Sequence, residues 1–167
     1  RRSVSGLFQL CVERGFQRLH LKFAGGEPTL GLDLIRDACR YAVAESDRCG
    51  VAVGFRMLSN GVFDSAQALR LLSEFHFGLS ISVDGDPERH DALRFLLPHT
   101  ASPSKARSKV GRARQGTWQL IDRNIDTLLA AGVKPYLLCT VTPSNADYLQ
   151  PFVEYCRSHE IGFRLSP

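Results

Sequence analysis

One segment of the chain runs Phe77-Gly78-Leu79-Ser80-Ile81-Ser82-Val83-Asp84. Its odd-numbered positions are all apolar, whereas its even-numbered positions hold glycine, serine or aspartate. Successive side chains of a β-strand point to opposite faces, so this segment predicts a strand with one apolar and one polar face. A central strand of a doubly wound sheet has helices on both faces and is apolar on both. The alternation therefore favours a sheet that helices cover on one side only.

The rest of the chain alternates between helical and strand periodicity. Helices are predicted at 4–14, 32–48, 64–75, 117–131 and 145–159, and strands at 19–24, 51–59, 77–83, 134–141 and 161–165. Asp64 and Asn145 are suited to helix N-caps, and Gly50 and Gly132 to helix ends. Strands that alternate with helices predict an α/β fold with a parallel sheet and right-handed crossovers. A polar interior predicts a wide or open barrel that holds a polar ligand at the carboxyl ends of its strands.

A second segment, Leu19-His20-Leu21-Lys22-Phe23-Ala24-Gly25-Gly26-Glu27-Pro28-Thr29-Leu30, leads an alternating strand into a glycine pair. Gly25 and Gly26 lack the Cβ atoms that would keep a ligand away from the backbone, and Pro28 stiffens the exit. The carboxylate of Glu27 suits an amine. The alternative interpretation is a tight turn with a solvated glutamate.

Composition and charge limit the possible classes of function. The 167 residues are 44% hydrophobic and 23% charged, which is typical of one globular domain. The net charge of +4 arises from five basic residues at 105–114; without them, 16 basic residues face 17 acidic ones. We therefore predict a basic, flexible insertion at about 98–115 and no general affinity for nucleic acid. Attraction of this tract for an acidic partner, a peptide leader or RNA stays an alternative. No apolar run is long enough to cross a membrane, so we expect a cytoplasmic protein.

The cysteines do not form a recognisable site. The chain contains five of them, widely spaced and never in a Cys-x-x-Cys pattern. This spacing favours neither a disulfide framework nor a local zinc site. Buried or unreactive thiols are the expected state, with Cys139 alone a candidate for lining the cavity.

Three motifs, in this order and spacing, resemble a known family. They are Phe23-Ala24-Gly25-Gly26-Glu27-Pro28-Thr29-Leu30, then Leu58-Ser59-Asn60-Gly61, then Ser80-Ile81-Ser82-Val83-Asp84-Gly85 with His90-Asp91-Ala92-Leu93-Arg94. The chain resembles the central part of a radical S-adenosylmethionine enzyme, in the branch of anaerobic sulfatase-maturing enzymes and peptide maturases that carry a SPASM extension. The resemblance implies a partial (β/α)6 TIM-like open barrel of parallel strands with outer helices. Residues 1–167 would form the central part of that core domain.

The resemblance also implies a set of residues that bind S-adenosylmethionine. In the family the glycine-rich segment contacts the methionyl amino group, whereas a serine and an arginine bind the methionyl carboxylate or the ribose. Asn60 is expected to hold the loop that faces the cofactor or, equally, to form a turn, and Asp84 to shape the site without reacting. The residues implied to bind the cofactor are Gly25, Gly26, Glu27, Pro28, Asn60, Ser82 and Arg94.

The chain departs from the family in its cysteines. The family's 4Fe-4S cluster is bound by a Cys-x-x-x-Cys-x-x-Cys loop, and no such spacing occurs here. The resemblance thus implies cluster ligands outside this chain, in a parent enzyme that cleaves S-adenosylmethionine reductively. The resulting 5′-deoxyadenosyl radical would abstract hydrogen from a peptide or protein substrate. The chain alone is expected to be inactive.

Two alternatives remain at this point. One is a barrel without a cluster that binds a nucleotide-like ligand or a peptide and has no catalytic activity. The other is a metal-free barrel enzyme that acts on a phosphorylated small molecule and binds its anion with Lys22, Arg56 or Arg164. No glycine-rich phosphate loop supports the second alternative.

Overall fold

The computed structural model describes residues 1–96 and 115–167, so the insertion predicted at about 98–115 lies outside the described residues except for Gln115. The described residues form helices and strands in alternation, with two single 3-10 turns at Pro28–Gly31 and Ala146–Tyr148. The helices are α1 (Arg2–Arg14), α2 (Leu32–Cys49), α3 (Ser65–Phe75), α4 (Pro87–Leu93), α5 (Trp118–Ala130) and α6 (Leu149–Ser158). The strands are β1 (Arg18–Phe23), β2 (Ala52–Ser59), β3 (Gly78–Ser82), β4 (Phe95–Leu96), β5 (Gln115–Gly116), β6 (Tyr136–Thr140) and β7 (Gly162–Ser166).

Five of the strands form one parallel sheet in the order β1-β2-β3-β6-β7. Within the described part of the chain, β1 and β7 are the two outer strands of this sheet. Its register pairs Lys22 with Arg56 and Arg56 with Gly78. These partners lie on the same face of the sheet because paired residues share a face. The predicted α/β fold with parallel strands and flanking helices is confirmed.

The core lies between this sheet and the helices, on one face only. Phe55, Met57, Leu79, Ile81 and Leu137 alternate with the polar positions of their strands and are each at most 5% exposed. Each such side chain contributes about 1.5–3 kcal/mol by leaving water. The alternation in Phe77-Gly78-Leu79-Ser80-Ile81-Ser82-Val83-Asp84 therefore corresponds to a sheet with a packed face and an open face.

The predicted helix signals are confirmed in part. The carboxylate of Asp64 accepts the Gln67 N–H at 3.0 Å at the start of α3, and Gly50 ends α2 with a φ of 72°. Asn145 precedes a 3-10 turn, but its side chain makes no cap hydrogen bond there. The helix predicted at 145–159 is thus divided into a 3-10 turn followed by α6.

Three elements, α4, β4 and β5, were not predicted from the periodicity. Helix α4 has seven residues, which is too short for a helical repeat to stand out, although the Asp86 carboxylate caps it by accepting the Arg89 N–H at 3.0 Å. Strands β4 and β5 pair in antiparallel fashion outside the main sheet. Among the described residues no helix combines the length and the apolar composition needed to span a membrane.

Candidate functional site

Four polar side chains follow the carboxyl ends of neighbouring strands. Glu27 follows β1, Asn60 follows β2, Asp84 follows β3 and Asn145 follows β6. Parallel strands bring these ends to the same edge of the sheet, which is where α/β proteins bind ligands. The strand ends are therefore the place where the predicted site residues are expected to meet.

Glu27 links the first two strand ends through its carboxylate. Its Oε1 accepts hydrogen bonds from the Thr29 N–H at 3.1 Å, the Thr29 hydroxyl at 2.7 Å and the Ser59 hydroxyl at 2.8 Å. Its Oε2 accepts one from the Asn60 N–H at 2.7 Å. A carboxylate oxygen has about two acceptor sites, and Oε2 uses one of them in its contacts with the described residues. Oε2 can therefore accept a further hydrogen bond from a ligand.

The loop before Glu27 adopts a conformation that depends on glycine. Gly25 and Gly26 have φ angles of 95° and 57°, in the left-handed region that side chains disfavour. A Cβ added at either position would meet nothing within 4 Å, so the backbone is open on that side. Pro28 begins the 3-10 turn, and Glu27 caps this turn through the Thr29 N–H. The loop therefore exposes its backbone and fixes the carboxylate beside it.

Asn60 organises the loop after β2. Its backbone N–H donates to Glu27, while its side-chain Oδ1 accepts the Val62 N–H at 2.8 Å and closes a turn. The same loop is held from α5, because the Asn124 amide donates to the Gly61 carbonyl at 2.9 Å and to the Phe63 carbonyl at 3.0 Å. The turn role that the sequence left open for Asn60 is thus present in the structure.

Arg94 lies against Asp84 after β3. Its Nε donates to Asp84 Oδ2 at 2.6 Å, and its Nη2 donates to Asp84 Oδ1 at 3.3 Å. The side chains are 35% and 14% exposed, so the pair is only partly screened by water. Asp84 thereby orients a guanidinium group that still reaches solvent.

The buried side chain of His90 supports this ion pair. Its Nδ1 accepts the Asp84 N–H at 3.2 Å, so its Nε2 carries the proton and faces the Thr117 hydroxyl at 2.9 Å. The Thr117 hydroxyl in turn donates to the Arg94 carbonyl at 3.4 Å. Burial lowers the pKa of His90, and the nearby charge of Arg94 lowers it further, which favours the neutral ring.

The sequence did not predict individual roles at the site for three residues: His90, Thr117 and Ser59. A signal existed for His90, since it lies four residues before Arg94 and therefore on the same side of a helical turn. Thr117 was predicted only as the start of a helix, and because it follows residues 97–114 in the sequence, its spacing from the other motifs did not indicate a role at the site.

A cavity of about 430 Å³ brings several of the predicted residues together. Glu27, Asn60 and Arg94 supply its polar lining, together with Thr117. Its apolar lining consists of Leu30, Val62, Leu93, Phe95 and Leu96. The remaining predicted site residues, Gly25, Gly26, Pro28 and Ser82, are not among its lining residues.

Ser82 lies at the end of β3 on the open face of the sheet. Its register partner is Leu138, which pairs in turn with Arg164. The side chain is half-buried, and its hydroxyl has no hydrogen-bond partner among the described residues. Ser82 is therefore available to a ligand that extends from the cavity onto the open face.

A larger groove of about 820 Å³ lies elsewhere, between α2 and α3. Four of its five charged lining residues are paired with one another, because Arg36 contacts Asp33 at 2.9 Å and Glu74 at 3.1 Å, and Arg40 contacts Glu74 at 3.2 Å. Arg36 and Arg40 are thus already paired with the carboxylates of the groove, whereas Arg70 has no ion pair among the described residues. The smaller cavity at the strand ends is the better candidate for a ligand site.

The cysteines offer no site for a metal cluster. All five are free thiols, and the described residues contain no group of three His, Cys, Asp or Glu side chains that could bind a metal ion. Burial raises the pKa of Cys39 to about 12 and that of Cys156 to about 11, so both stay protonated. Metal clusters require thiolates, so these residues do not fit an iron-sulfur group.

Comparison with known proteins gives one relative in sequence and several in structure. No protein-family model matches the chain. The chain is 24% identical over 162 residues to a cysteine-type anaerobic sulfatase-maturating enzyme of Clostridium novyi, covering 94% of this chain and 39% of the relative.

Solved structures share the fold. The chain superimposes on anSMEcpe with bound AdoMet (S-adenosylmethionine) with a TM-score of 0.71 and 19% identity, covering 99% of this chain and 42% of the other. It superimposes on SuiB of Streptococcus suis, bound to the precursor peptide SuiA, with a TM-score of 0.54 and 13% identity, covering 96% and 31%. The chain thus spans about two fifths of the length of its first relatives. The resemblance predicted from the three motifs is confirmed, and the chain shares its fold with part of each of these solved structures.

Proposed function

We propose that this chain is the central part of the core domain of a radical S-adenosylmethionine enzyme and that it binds S-adenosylmethionine at the carboxyl ends of its strands. The whole enzyme modifies a peptide or protein substrate. One observation carries the proposal: a cavity of about 430 Å³ unites Glu27, Asn60 and Arg94, which three separate motifs assign to the same ligand. The AdoMet bound to anSMEcpe and the precursor peptide bound to SuiB support the two ligand classes.

Glu27 binds the methionyl ammonium group in this proposal. Its carboxylate is fixed by four hydrogen bonds, and Oε2 has acceptor capacity left on the side of the cavity. An ammonium group that donates to a fixed carboxylate makes a charge-assisted hydrogen bond without reorganising the side chain. The hydrogen bonds to Thr29 and Ser59 therefore serve to hold the acceptor in position.

Arg94 binds the methionyl carboxylate. A guanidinium group has five N–H donors, and Asp84 takes one from Nε and one from Nη2. The remaining donors have no hydrogen-bond partner among the described residues, and the side chain is 35% exposed and lines the cavity. Asp84 and the neutral His90 act as positioning residues, since they hold the guanidinium and the chain that carries it.

Gly25, Gly26 and Pro28 shape the backbone that the ligand approaches, and Ser82 offers a hydroxyl beyond the cavity. The absence of any atom within 4 Å of a Cβ at the two glycines supports a close approach to the main chain. The 4Fe-4S cluster of the family has no ligand set among the described residues, so its ligands would come from outside them.

Calorimetric titration of the protein with S-adenosylmethionine tests the proposal. We expect saturable binding that Arg94→Gln weakens about tenfold or more, because a charge-assisted contact to a carboxylate is lost. Arg94→Lys keeps the positive charge but loses the paired N–H donors of the guanidinium group. We expect its affinity for S-adenosylmethionine to lie between those of the unsubstituted protein and Arg94→Gln. Arg36→Gln is the matched control, since Arg36 is an ion-paired arginine in the groove between α2 and α3.

The opposite pattern would contradict the proposal. If Arg36→Gln weakens binding and Arg94→Gln does not, the ligand occupies the groove between α2 and α3. Absence of saturable binding to the unsubstituted protein also contradicts it. Circular dichroism of each variant establishes that the comparison is between folded proteins.

A further inference from the structure

The open face of the sheet, away from the helices, carries an uncompensated set of basic side chains. On β1 the open-face positions are Arg18, His20 and Lys22, and all three are exposed. Arg56 follows on β2, paired in register with Lys22, and Arg164 lies on β7. The site at the strand ends does not use these residues.

Nothing acidic balances these charges within the sheet. The five strands of the sheet contain no aspartate or glutamate. Lys22, Arg56 and Arg164 form no ion pair or hydrogen bond through their side chains with any residue that the structure describes. Their charges are therefore free to bind an anion that comes from outside this part of the chain.

Lys22 and Arg56 lie side by side, which is unfavourable unless an anion is present. Like charges directly opposite each other on neighbouring strands repel. Two glycines keep the floor around them flat: a Cβ at Gly54 would come within 2.8 Å of the His20 ring, and one at Gly78 within 3.6 Å of Arg56 Cγ. The side chains of His20 and Arg56 therefore lie close to the sheet over these glycines, and the partly exposed ring of Tyr136 stands on the same face.

Protection of sheet edges explains these charges only in part. Inward-pointing basic residues on an edge strand hinder aggregation, and β1 and β7 are edges of the sheet. Arg56, however, lies on β2, which is paired on both sides. A binding role accounts for Arg56 as well as for the residues on the edges.

We propose that this open face binds an acidic peptide segment, with Lys22 and Arg56 holding one carboxylate and Arg164 holding another. Arg56 and Arg164 are three strand intervals apart, or about 14 Å across the strands at about 4.8 Å each. They also differ by four residues, or about 13 Å, along the strands, because Arg56 pairs with Gly78 whereas Arg164 pairs through Leu138 with Ser82. The two positions are therefore about 20 Å apart. A single small oxyanion cannot reach both, whereas a peptide extended at about 3.3 Å per residue spans this distance with about six residues. The inference rests on the proposed function only in naming a peptide as the ligand.

Titration with a synthetic peptide tests this inference directly. The probe is an extended peptide with glutamate at alternate positions, and its control is the same peptide with glutamine in place of each glutamate. We expect the acidic peptide alone to bind, with an affinity that falls about tenfold when Lys22→Gln and Arg56→Gln are combined. We expect Arg164→Gln to weaken binding further and higher salt to weaken it throughout.

The matched control removes two positive charges from the helical layer. Arg70→Gln with Arg157→Gln changes the net charge equally, at exposed positions on α3 and α6. If this control loses as much affinity for the peptide as the variant with Lys22→Gln and Arg56→Gln, net charge alone explains the loss. That result would overturn the inference. Inorganic phosphate that displaces the peptide completely would also overturn it, in favour of a site for one small anion. The assay contains no S-adenosylmethionine, so its result is separable from that of the proposed cofactor site.

Discussion

Glu27 combines a structural role with the proposed binding role. The motif predicted a carboxylate beside an open backbone, but it did not reveal that four donors already fix this carboxylate. Spacing along the sequence cannot predict the contact between Glu27 and Ser59, because it joins residues 32 positions apart across two strands. The motif therefore located the residue and the fold supplied its geometry.

Glu27→Ala is expected to lower both stability and affinity. It leaves the Ser59 hydroxyl and the Asn60 N–H without their acceptor, and hydrogen bonds to a charged group are each worth about 1.5–3 kcal/mol. We expect the free energy of unfolding in urea to fall by about 2–4 kcal/mol and the affinity for S-adenosylmethionine to fall at least about tenfold.

Glu13→Ala serves as the control for this change. Glu13 lies on α1 and accepts one exposed hydrogen bond from Gln9, so its loss is expected to cost less than about 0.5 kcal/mol. Equal effects of the two substitutions on stability would show that the network at Glu27 does not hold the strand ends together.

His90 predicts a pH dependence of stability. Its pKa is lowered in the folded state, chiefly by burial, so at mildly acidic pH the unfolded chain binds a proton that the folded chain does not. The stability contributed by the neutral ring is complete above the ordinary pKa of about 6.5 and is lost as the pH falls below it. The loss proceeds at up to about 1.4 kcal/mol per pH unit until the folded-state pKa is reached.

Urea unfolding at several pH values between about 7 and 5 measures this contribution. His90→Asn, whose side-chain oxygen can accept the Asp84 N–H, is expected to lower the stability at neutral pH and to flatten its decline in acid. If the stability of the variant falls as steeply with decreasing pH as that of the unsubstituted protein, the pH dependence arises from other groups.

At the scale of elements, periodicity predicted the long helices and the sheet strands but not the short pieces around the site. Helix α4 and the strands β4 and β5 are determined by single contacts rather than by a repeat. The Asp91 carboxylate, for example, accepts the Trp118 N–H at 2.8 Å and so fixes the start of α5. Such a contact joins residues 27 positions apart and carries no local signal.

Gly116 makes this contact possible. A Cβ at Gly116 would overlap the Asp91 carboxylate, so Gly116→Ala forces the carboxylate away from the start of α5. We expect the free energy of unfolding to fall by about 2 kcal/mol, from steric strain and the loss of a cap. The measurement is the midpoint of unfolding in urea, which reports stability when the dependence of the free energy of unfolding on urea concentration is unchanged.

Gly6→Ala is the matched control for Gly116→Ala. Gly6 lies within α1, and a Cβ there would meet nothing within 4 Å. Alanine is favoured over glycine inside a helix, so this substitution is expected to stabilise the protein by about 0.5–1 kcal/mol. Changes of opposite sign in the free energy of unfolding for the two substitutions would support the packing at Gly116, and changes of the same sign would contradict it.

For the whole molecule, the alternation in Phe77-Gly78-Leu79-Ser80-Ile81-Ser82-Val83-Asp84 predicted a sheet with one packed face, and this prediction is confirmed. The sequence predicted that the cavity lies at the carboxyl ends of the strands, but it did not predict which residues line it. Its lining includes Leu93 and Thr117, whose approach depends on α4, on α5 and on the residues between them. The assignment of individual residues to S-adenosylmethionine stays a prediction.

A crystal structure of the protein with S-adenosylmethionine tests the central claim most directly. We predict that the methionyl group lies in the cavity at the strand ends, with its ammonium group at Glu27 Oε2 and its carboxylate at the Arg94 guanidinium. A ligand bound in the groove between α2 and α3, or one that contacts neither Glu27 nor Arg94, would contradict the account.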